Sequence, residues 1–210
     1  MIDFVTNYRR FLKFAASAAG VLLLACAARA DDQADAAQVV ETLHDTLLAA
    51  MQQADDLGFS GRRELIGPVL DESFDFQTIA RIVLGRYRRD ISAEEQAQFQ
   101  DAFTRLSSAT YASRFSGYDG ERFETGAVEP QRSTLLVKTL LLPADDEPVH
   151  LDYVLRSTDD GWRIINVIAE GVSDLSLKRA EYTAVIKTDG FAALLEVLDD
   201  KIARIENPGE

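Results

Sequence analysis

The spacing of apolar residues changes twice along this 210-residue chain, and that change restricts the fold more than any other feature. From about residue 34 to residue 117, apolar side chains recur at the three- and four-residue intervals of amphipathic helices. Between residues 121 and 169 they follow the two-residue period of strands, and the helical period returns over residues 174–206. This order predicts an α+β domain, in which a twisted antiparallel sheet of about four strands packs against N-terminal and C-terminal helices.

Local signals divide the first helical region. A helix is expected over residues 34–55, followed by a break at Gly58–Gly61. A second helix is expected over Arg62–Phe74, bent at Pro68, because proline cannot donate a backbone hydrogen bond. Asp75 is placed to cap a third helix that runs to about Arg88.

Stronger signals mark the helices on either side of the predicted strands. Ser92 followed by Glu95 forms a capping box, which predicts a helix that begins there and ends near Gly117. Two further helices are expected after the strands, over Asp174–Ile186 and over Asp189–Ile202. Short turns rich in proline, aspartate and glycine separate the strands, so we expect antiparallel hairpins.

The predicted strands do not alternate cleanly between apolar and polar residues. In LLVKTLLLP, Leu136 and Leu142 fall on one face and Val137 and Leu141 on the other. Helices can cover one face, so the remaining apolar positions need a further cover or a cavity. An ordinary two-layer core or a dimer interface would also use such residues. We expect at least one face of this strand to line a space large enough for an acyl chain or a polycycle.

Residues 1–30 read as a cleavable signal peptide. Arg9 and Arg10 precede an apolar run that is too short for a membrane span, and Ala28-Arg29-Ala30 supplies small residues for cleavage after Ala30. A single α+β domain would then comprise residues 31–210. Leu23-Leu24-Ala25-Cys26 offers the alternative of a lipid-modified Cys26, which we consider less favoured than its removal with the leader.

Charge and motif content narrow the function classes. The chain has a formal net charge of −13, which argues against nucleic acid and against adhesion to anionic membranes. No metal-binding, phosphate-binding or nucleophile motif is recognisable, so we expect neither a cofactor nor an enzyme. His44 and His150 read as surface or half-buried residues. Arg86, Arg88 and Arg89 form the only concentrated positive charge after the leader, and they suit a solvated helix end, an anionic headgroup or an acidic partner.

A lipid carrier is consistent with these features. A diacyl lipid exposes on the order of 30 methylene groups, and transferring them to water would cost about 25 kcal/mol. Such a lipid needs a protein to cross an aqueous compartment.

Several segments resemble one known family. They are DFQTIARIVLGRYRRDISAEEQAQFQDAFTRLSSATYASRFSGY (residues 75–118), PVHLDYVLR (148–156) and GWRIINVIAEGVS (161–173), followed by Arg179 and Tyr182. Together they resemble the toluene-tolerance family of periplasmic phospholipid-binding proteins, the MlaC type. This resemblance implies a periplasmic carrier whose lipid tails lie in an apolar cavity between sheet and helices. It also implies partners in the lipid transport complexes of the inner and outer membranes.

Two segments look closer to one branch of that family. GYDGERFE (residues 117–124) and LKRAEYTAVIKTDGFAALLEVLDDKIARIE (177–206) are similar to the hopanoid-biosynthesis-associated, HpnM-type branch. The phospholipid-transport members usually have Asn-Tyr-Arg where this chain has Leu177-Lys178-Arg179. A rigid, polycyclic hopanoid is therefore an alternative cargo to phospholipid.

Apolar faces and matching positions together predict the residues that contact the lipid. The predicted cavity wall consists of Leu84, Tyr87, Phe103, Leu106, Tyr111, Val137, Leu151, Tyr153, Ile165, Val167 and Tyr182. Arg86, Arg88 and Arg89 are predicted to contact the headgroup or a partner.

Two other function classes stay open from the sequence alone. A small exported enzyme of lipid metabolism would need a polar group inside the cavity, for which His150, Asp152 and Tyr153 are the candidates. A structural adaptor of an envelope complex would instead use the apolar sheet as an interface.

Overall fold

The structure, a computed structural model, describes the backbone of residues 8–207 and the side chains of residues 30–207. Clustering of contacts divides the chain into two units, Met1–Asp35 and Ala36–Glu210. Nearly all of the predicted signal peptide, including Cys26, lies outside the residues whose side chains are described, so its cleavage stays a prediction. Among the described residues, no helix combines the length and the apolar character that a membrane span requires.

The described residues form an α+β fold with helices before and after a sheet, as the change in period predicts. In chain order the elements are α1 (Tyr8–Gln52), α2 (Ala54–Ser73), α3 (Phe76–Leu84), a 3-10 turn (Gly85–Arg89), α4 (Ala93–Arg114), β1 (Arg122–Gln131), β2 (Thr134–Leu142), β3 (Val149–Thr158), β4 (Gly161–Ala169), β5 (Val172–Ser173), α5 (Asp174–Asp189) and α6 (Phe191–Glu206).

The break predicted at Gly58–Gly61 is present at Gly58, where a sharp kink of non-helical backbone divides α2 into two helical parts. Helix α2 begins at Ala54, and Gly58 within it adopts φ 58° and ψ −171°, a conformation that side chains disfavour. Beyond the kink, the buried Arg62 donates hydrogen bonds to the carbonyl oxygens of Ala54 and Ala112 at 3.0 and 2.9 Å. These bonds join α2 to the end of α4.

Helix α3 begins as predicted but ends earlier. The Asp75 carboxylate accepts a hydrogen bond from the Thr78 amide at 2.8 Å, which caps the helix. Gly85 then adopts φ 55°, and the chain continues as the 3-10 turn instead of extending the helix to Arg88. A β-carbon at position 85 would lie 3.1 Å from the Arg179 guanidinium, so a side chain there would also have to displace the tip of Arg179.

Helix α4 carries the predicted capping box. The Ser92 hydroxyl accepts from the Glu95 amide at 3.1 Å, and the Glu95 carboxylate accepts from the Ser92 amide at 2.7 Å. These two bonds satisfy backbone donors that have no partner within the helix.

Replacing Ser92 with alanine should lower the free energy of unfolding by about 1 kcal/mol, because the Glu95 amide loses its acceptor. Chemical denaturation measures this change. Ser116→Ala is the matched control, since Ser116 is exposed and makes no side-chain hydrogen bond among the described residues. Equal loss in the two variants would contradict a capping role.

The sheet is antiparallel with the strands in sequence order, β1-β2-β3-β4-β5. The predicted four strands are present, and β5 adds two residues between β4 and α5. The Asn166 side-chain oxygen accepts hydrogen bonds from the Leu175 amide and the Ser173 hydroxyl, both at 3.1 Å. These contacts connect the beginning of α5 to β4.

The strand register explains why β2 does not alternate cleanly. Val137 lies opposite Tyr153, and Tyr153 lies opposite Val167, so these three side chains share the face toward the helices. On the other face, Leu136 lies opposite Val154 and is buried. The face that carries Val137 thus packs inside the protein. Because Leu136 on the opposite face is also buried, both faces of β2 carry apolar residues and the strand does not alternate.

Candidate ligand cavity

A cavity of about 840 Å³ lies between the helices and the inner face of the sheet. This volume is near the upper end of the range typical of ligand sites. Its walls come from the end of α2 and from α3, α4, β2, β3, β4, β5, α5 and α6. The lining residues are Phe74, Phe76, Ile79, Phe103, Leu106, Ser107, Thr110, Tyr111, Arg114, Phe115, Leu141, Val149, Leu151, Tyr153, Ile165, Asn166, Val167, Ala169, Val172, Asp174, Leu175, Leu177, Lys178, Glu181, Tyr182, Lys201, Arg204 and Ile205.

Aromatic rings build the helical wall of this cavity. Phe74 and Phe76 stack with centroids 5.5 Å apart, and Phe76 meets Phe103 edge to face at 6.2 Å. Tyr111 packs against Phe74 at 6.1 Å and against Phe115 at 5.8 Å. Because each ring is held by another ring, the wall is already ordered without a ligand.

The charged residues of the lining, and its most exposed apolar residues, lie at the end of α4, in β5 and on α5 and α6. We call this set of residues the mouth of the cavity. Two apolar side chains of the set are unusually exposed, Val172 at 51% and Leu177 at 58%. The mouth consists of Arg114, Val172, Asp174, Leu177, Lys178, Glu181, Lys201 and Arg204.

The mouth carries an excess of positive charge. Lys178 pairs with Asp174 at 2.7 Å, and Lys201 pairs with Glu181. Neither Arg114 nor Arg204 has a carboxylate within salt-bridge distance among the residues that the structure describes. Two unpaired guanidinium groups at an apolar cavity, in a chain of net charge −13, favour an anionic group at this position.

One polar pair is built into the wall. Tyr153 in β3 is 2% exposed, and its hydroxyl lies 2.9 Å from Nε2 of His44, a helix α1 residue that is also 2% exposed. The His44 ring stacks on Phe123 with centroids 3.9 Å apart, and its Nδ1 has no hydrogen-bond partner. The expectation that His44 is a surface or half-buried residue is therefore wrong, since its side chain is buried against the sheet.

Burial alters the acid–base properties of these groups. It lowers the pKa of His44 to about 4, so the ring is neutral at neutral pH. Burial also raises the pKa of Tyr153 well above its usual range, and the Tyr111 hydroxyl raises it further. For Tyr111, burial and then the Asp174 carboxylate raise the pKa, while the Arg114 guanidinium lowers it.

The structure brings eight of the eleven predicted wall residues together in the cavity lining. Leu84 and Val137 are instead fully packed in the core, and Tyr87 lies outside the lining. The eight are Phe103, Leu106, Tyr111, Leu151, Tyr153, Ile165, Val167 and Tyr182. Their contact with a lipid stays a prediction.

The same division runs along β2. Leu141 lines the cavity, whereas Val137, four positions earlier on the same face of β2, is fully buried in the core. Periodicity identifies the shared face but carries no information about what lies opposite each residue.

The predicted headgroup arginines do not lie at the mouth. Arg86 lines a separate hollow of about 370 Å³, together with Gly85, Tyr87, Arg179, Thr183 and Lys187. Arg88 donates a hydrogen bond to Gln96 at 2.9 Å, and Arg89 is exposed. None of these three arginines is in the cavity lining, and contact of Arg86, Arg88 and Arg89 with a headgroup or a partner stays a prediction.

Sequence reasoning missed the functional candidates Arg114, Arg204 and His44. Arg114 and Arg204 read as ordinary basic residues in the last turns of α4 and α6, where cations complement the helix dipole. His44 lies beside the apolar stripe of α1, and that position was the one available signal that its ring packs inward.

Of the three candidates for catalysis, only Tyr153 belongs to the cavity lining. His150 is exposed, and Asp152 pairs across the sheet with Ile168. Among the residues that the structure describes, no group of three acidic, histidine or cysteine side chains could hold a metal ion.

Stability should fall as the pH is lowered from 7 to 5, because unfolded His44 binds a proton below pH 6.5 while the folded residue resists it until about pH 4. This residue alone should contribute about 2 kcal/mol to the change. Urea unfolding at both pH values measures it. His44→Phe should lose that part of the dependence, and His150→Gln, at an exposed position, should keep it. An unchanged dependence in His44→Phe would contradict the assignment.

Comparisons with known proteins agree with this architecture. The model of the MlaC protein family matches residues 41–200, which include every helix and strand from α2 to β5. Among solved structures, a phospholipid-binding protein from Ralstonia solanacearum, in complex with a phospholipid, is similar with a TM-score of 0.73. It is 24% identical, and the match covers 81% of this chain and 98% of that one.

Proposed function

This chain belongs to the MlaC protein family, and from that premise we propose that it is a lipid carrier whose cavity holds the tails of a phospholipid. The observation that carries the proposal is the 840 Å³ cavity, which is apolar inside and charged only at its mouth. A solvent-facing headgroup and buried tails need this polarity. The phospholipid found with the Ralstonia solanacearum protein supports the same class of ligand.

The walls suit acyl tails because they offer rings and branched side chains with few polar atoms. Phe103, Leu106 and Leu151 remove water from the tails on several sides. Each buried methylene contributes about 0.8 kcal/mol, so even partial burial of two chains is strongly favourable. No bond needs to form or break, because binding and release complete the cycle.

The mouth suits a phosphate. Arg114 and Arg204 are its unpaired cations, and a guanidinium group can donate two parallel hydrogen bonds to phosphate oxygens. The exposed Val172 and Leu177 lie beside them, where the glycerol backbone and the first methylenes of a lipid would be. The lipid would thus lie with its headgroup between α4 and α6.

We propose further that the chain is exported to the periplasm and exchanges lipid with transport complexes of the inner and outer membranes. A carrier is required there because a free diacyl lipid meets a barrier of about 25 kcal/mol in water. The hollow beside the 3-10 turn is lined by three basic side chains, Arg86, Arg179 and Lys187, and by no acidic side chain. It therefore suits an acidic surface on such a partner.

We prefer a carrier to an enzyme because the polar pair built into the wall, Tyr153 with His44, is not suited to acid–base catalysis in the cavity. Tyr153 stays protonated at neutral pH, since burial raises its pKa, and His44 reaches Tyr153 rather than the open cavity. We also prefer a carrier to a structural adaptor, since an adaptor has no need of an internal cavity.

Lipid extraction tests the proposal directly. Protein purified without detergent should contain tightly bound phospholipid, identified by mass spectrometry of an organic extract. Leu141→Glu should reduce the bound lipid several-fold, because a carboxylate in the lining opposes tail burial. Leu142→Glu is the matched control, since this neighbour on the opposite face of β2 does not line the cavity.

The extract also separates the alternatives. Absence of lipid from the unaltered protein, or equal loss in both variants, would contradict the carrier function. A hopanoid in place of phospholipid would support the HpnM-type branch and change the cargo, not the mode of binding.

A second experiment compares the two groups of arginines. The double variant Arg114→Gln, Arg204→Gln should weaken binding of a phospholipid by about a hundredfold relative to a diacylglycerol with the same chains, because each lost charged hydrogen bond contributes about 1.5 kcal/mol or more. Arg86→Gln, Arg88→Gln should leave this ratio unchanged. Competition measured by native mass spectrometry reports it. If the ratio instead changed in the Arg86→Gln, Arg88→Gln variant and not in the Arg114→Gln, Arg204→Gln variant, the headgroup would lie at Arg86 and Arg88.

A further inference from the structure

The polar pair inside the apolar wall requires an explanation. Tyr153 and His44 are both 2% exposed, and no other side-chain hydrogen bond of either is found among the described residues. An apolar pair of similar volume would avoid the cost of burying polar atoms that lack hydrogen-bond partners. Tyr153 lines the cavity, so a polar atom of a ligand held there is in a position to serve as a further partner.

The choice of tautomer decides which atom lacks a partner. If the Tyr153 hydroxyl donated to Nε2, the proton would be on Nδ1, and a buried N–H would have no acceptor. If Nε2–H donates to the Tyr153 oxygen, the unpaired donor is instead the Tyr153 O–H, and Nδ1 is an unfilled acceptor. Each arrangement thus leaves one buried donor unpaired. Only the second places that donor on a residue that lines the cavity, so an acceptor on a bound ligand would favour the second arrangement.

The surroundings hold this arrangement in place. The His44 ring is stacked on Phe123 at 3.9 Å with an interplanar angle of 11°, and Phe123 contacts Phe115 at 6.4 Å. Packing on this face limits rotation of the imidazole, so Nε2 stays directed at the Tyr153 oxygen. His44 is then a positioning residue that directs the remaining proton of Tyr153.

We propose that the Tyr153 hydroxyl, positioned by His44, donates a hydrogen bond to an ester carbonyl of the bound lipid, so that the cavity prefers ester-linked diacyl lipids to lipids without a carbonyl. This inference rests on the proposed function and extends it to the linkage between tails and glycerol.

The position of Tyr153 relative to the mouth fits an ester group. The Tyr111 hydroxyl responds to both Arg114 and Asp174 at the mouth, because the charges of these residues alter its pKa. Tyr153 lines the same cavity but is only 2% exposed, so it lies further from solvent than the exposed residues of the mouth. In a glycerophospholipid the ester carbonyls likewise follow directly after the phosphate and the glycerol. A phosphate between Arg114 and Arg204 would thus bring a carbonyl toward Tyr153.

The experiment compares a diacyl phosphatidylglycerol with its dialkyl ether analogue, which has the same headgroup and chain length but no carbonyl. Native mass spectrometry of the full-length protein in competition between the two lipids gives their affinity ratio. The unaltered protein should prefer the ester lipid by about three- to tenfold, the contribution of one neutral hydrogen bond. Tyr153→Phe should bring the ratio close to one.

Further variants test the assignment to Tyr153 and the role of His44. His44→Phe should reduce the ratio, because the hydroxyl loses its orientation, and Tyr118→Phe, at an exposed position outside the lining, should retain it. An unaltered protein without preference would overturn the inference and leave lipid binding in place. Loss of the preference in Tyr111→Phe but not in Tyr153→Phe would also overturn it. Failure of both lipids to bind would remove the proposed function itself.

Discussion

The rest of the structure depends on a small hydrogen-bonded junction between the helices and the sheet. The Asp75 amide donates to the Ile164 carbonyl at 2.9 Å, and the Asp75 carboxylate accepts from Arg156 of β3 at 2.6 Å. Burial raises the pKa of Asp75, but the Thr78 and Arg156 hydrogen bonds outweigh it and leave the pKa below its usual range. One aspartate thus caps α3, pairs with a strand and joins the two layers. The contribution of the ion pair is modest because Arg156 is partly solvated, whereas the geometry that it imposes is specific.

A second connection explains how an apolar space can persist between the layers. Two residues after Ile164 in the same strand, Asn166 binds the beginning of α5 through the Leu175 amide. These part-buried hydrogen bonds fix the beginnings of α3 and α5 against the sheet, and shifting either helix to recover the packing contacts that the cavity lacks would break them. A lipid that supplies those contacts would bind the folded state alone and would stabilise it by mass action. The bound lipid is therefore expected to fill the cavity as part of the apolar core and so to stabilise the protein that carries it.

The elements that the sequence predicts well are those specified by local chemistry. The Ser92 and Glu95 capping box, the cap at Asp75 and the hairpin turns need only neighbouring residues, and the structure contains each of them. The early end of α3 coincides with the left-handed backbone of Gly85, which no helical period reveals. The site is predicted less completely for the same reason. Leu84 and Leu106 have equivalent apolar patterns, yet one packs in the core and the other faces the cavity. That difference depends on what lies opposite, which is a property of the assembled layers.

The placement of charge follows a similar logic. With a net charge of −13, the protein repels anionic membranes and other acidic proteins. A lipid that carries a phosphate would also be repelled unless positive charge at the site offset this repulsion. Arg114 and Arg204 counter it locally, because unpaired guanidinium groups at the edge of an apolar cavity act in a medium of reduced dielectric. Pairing Lys178 with Asp174 and Lys201 with Glu181 limits the local excess, so the mouth can hold an anion without becoming a general anion-binding surface. A carrier must release its cargo, and moderate attraction at the mouth combined with nondirectional burial of the tails permits release. The directional contact at Tyr153 would then add selectivity for a particular lipid while contributing only a small part of the binding energy.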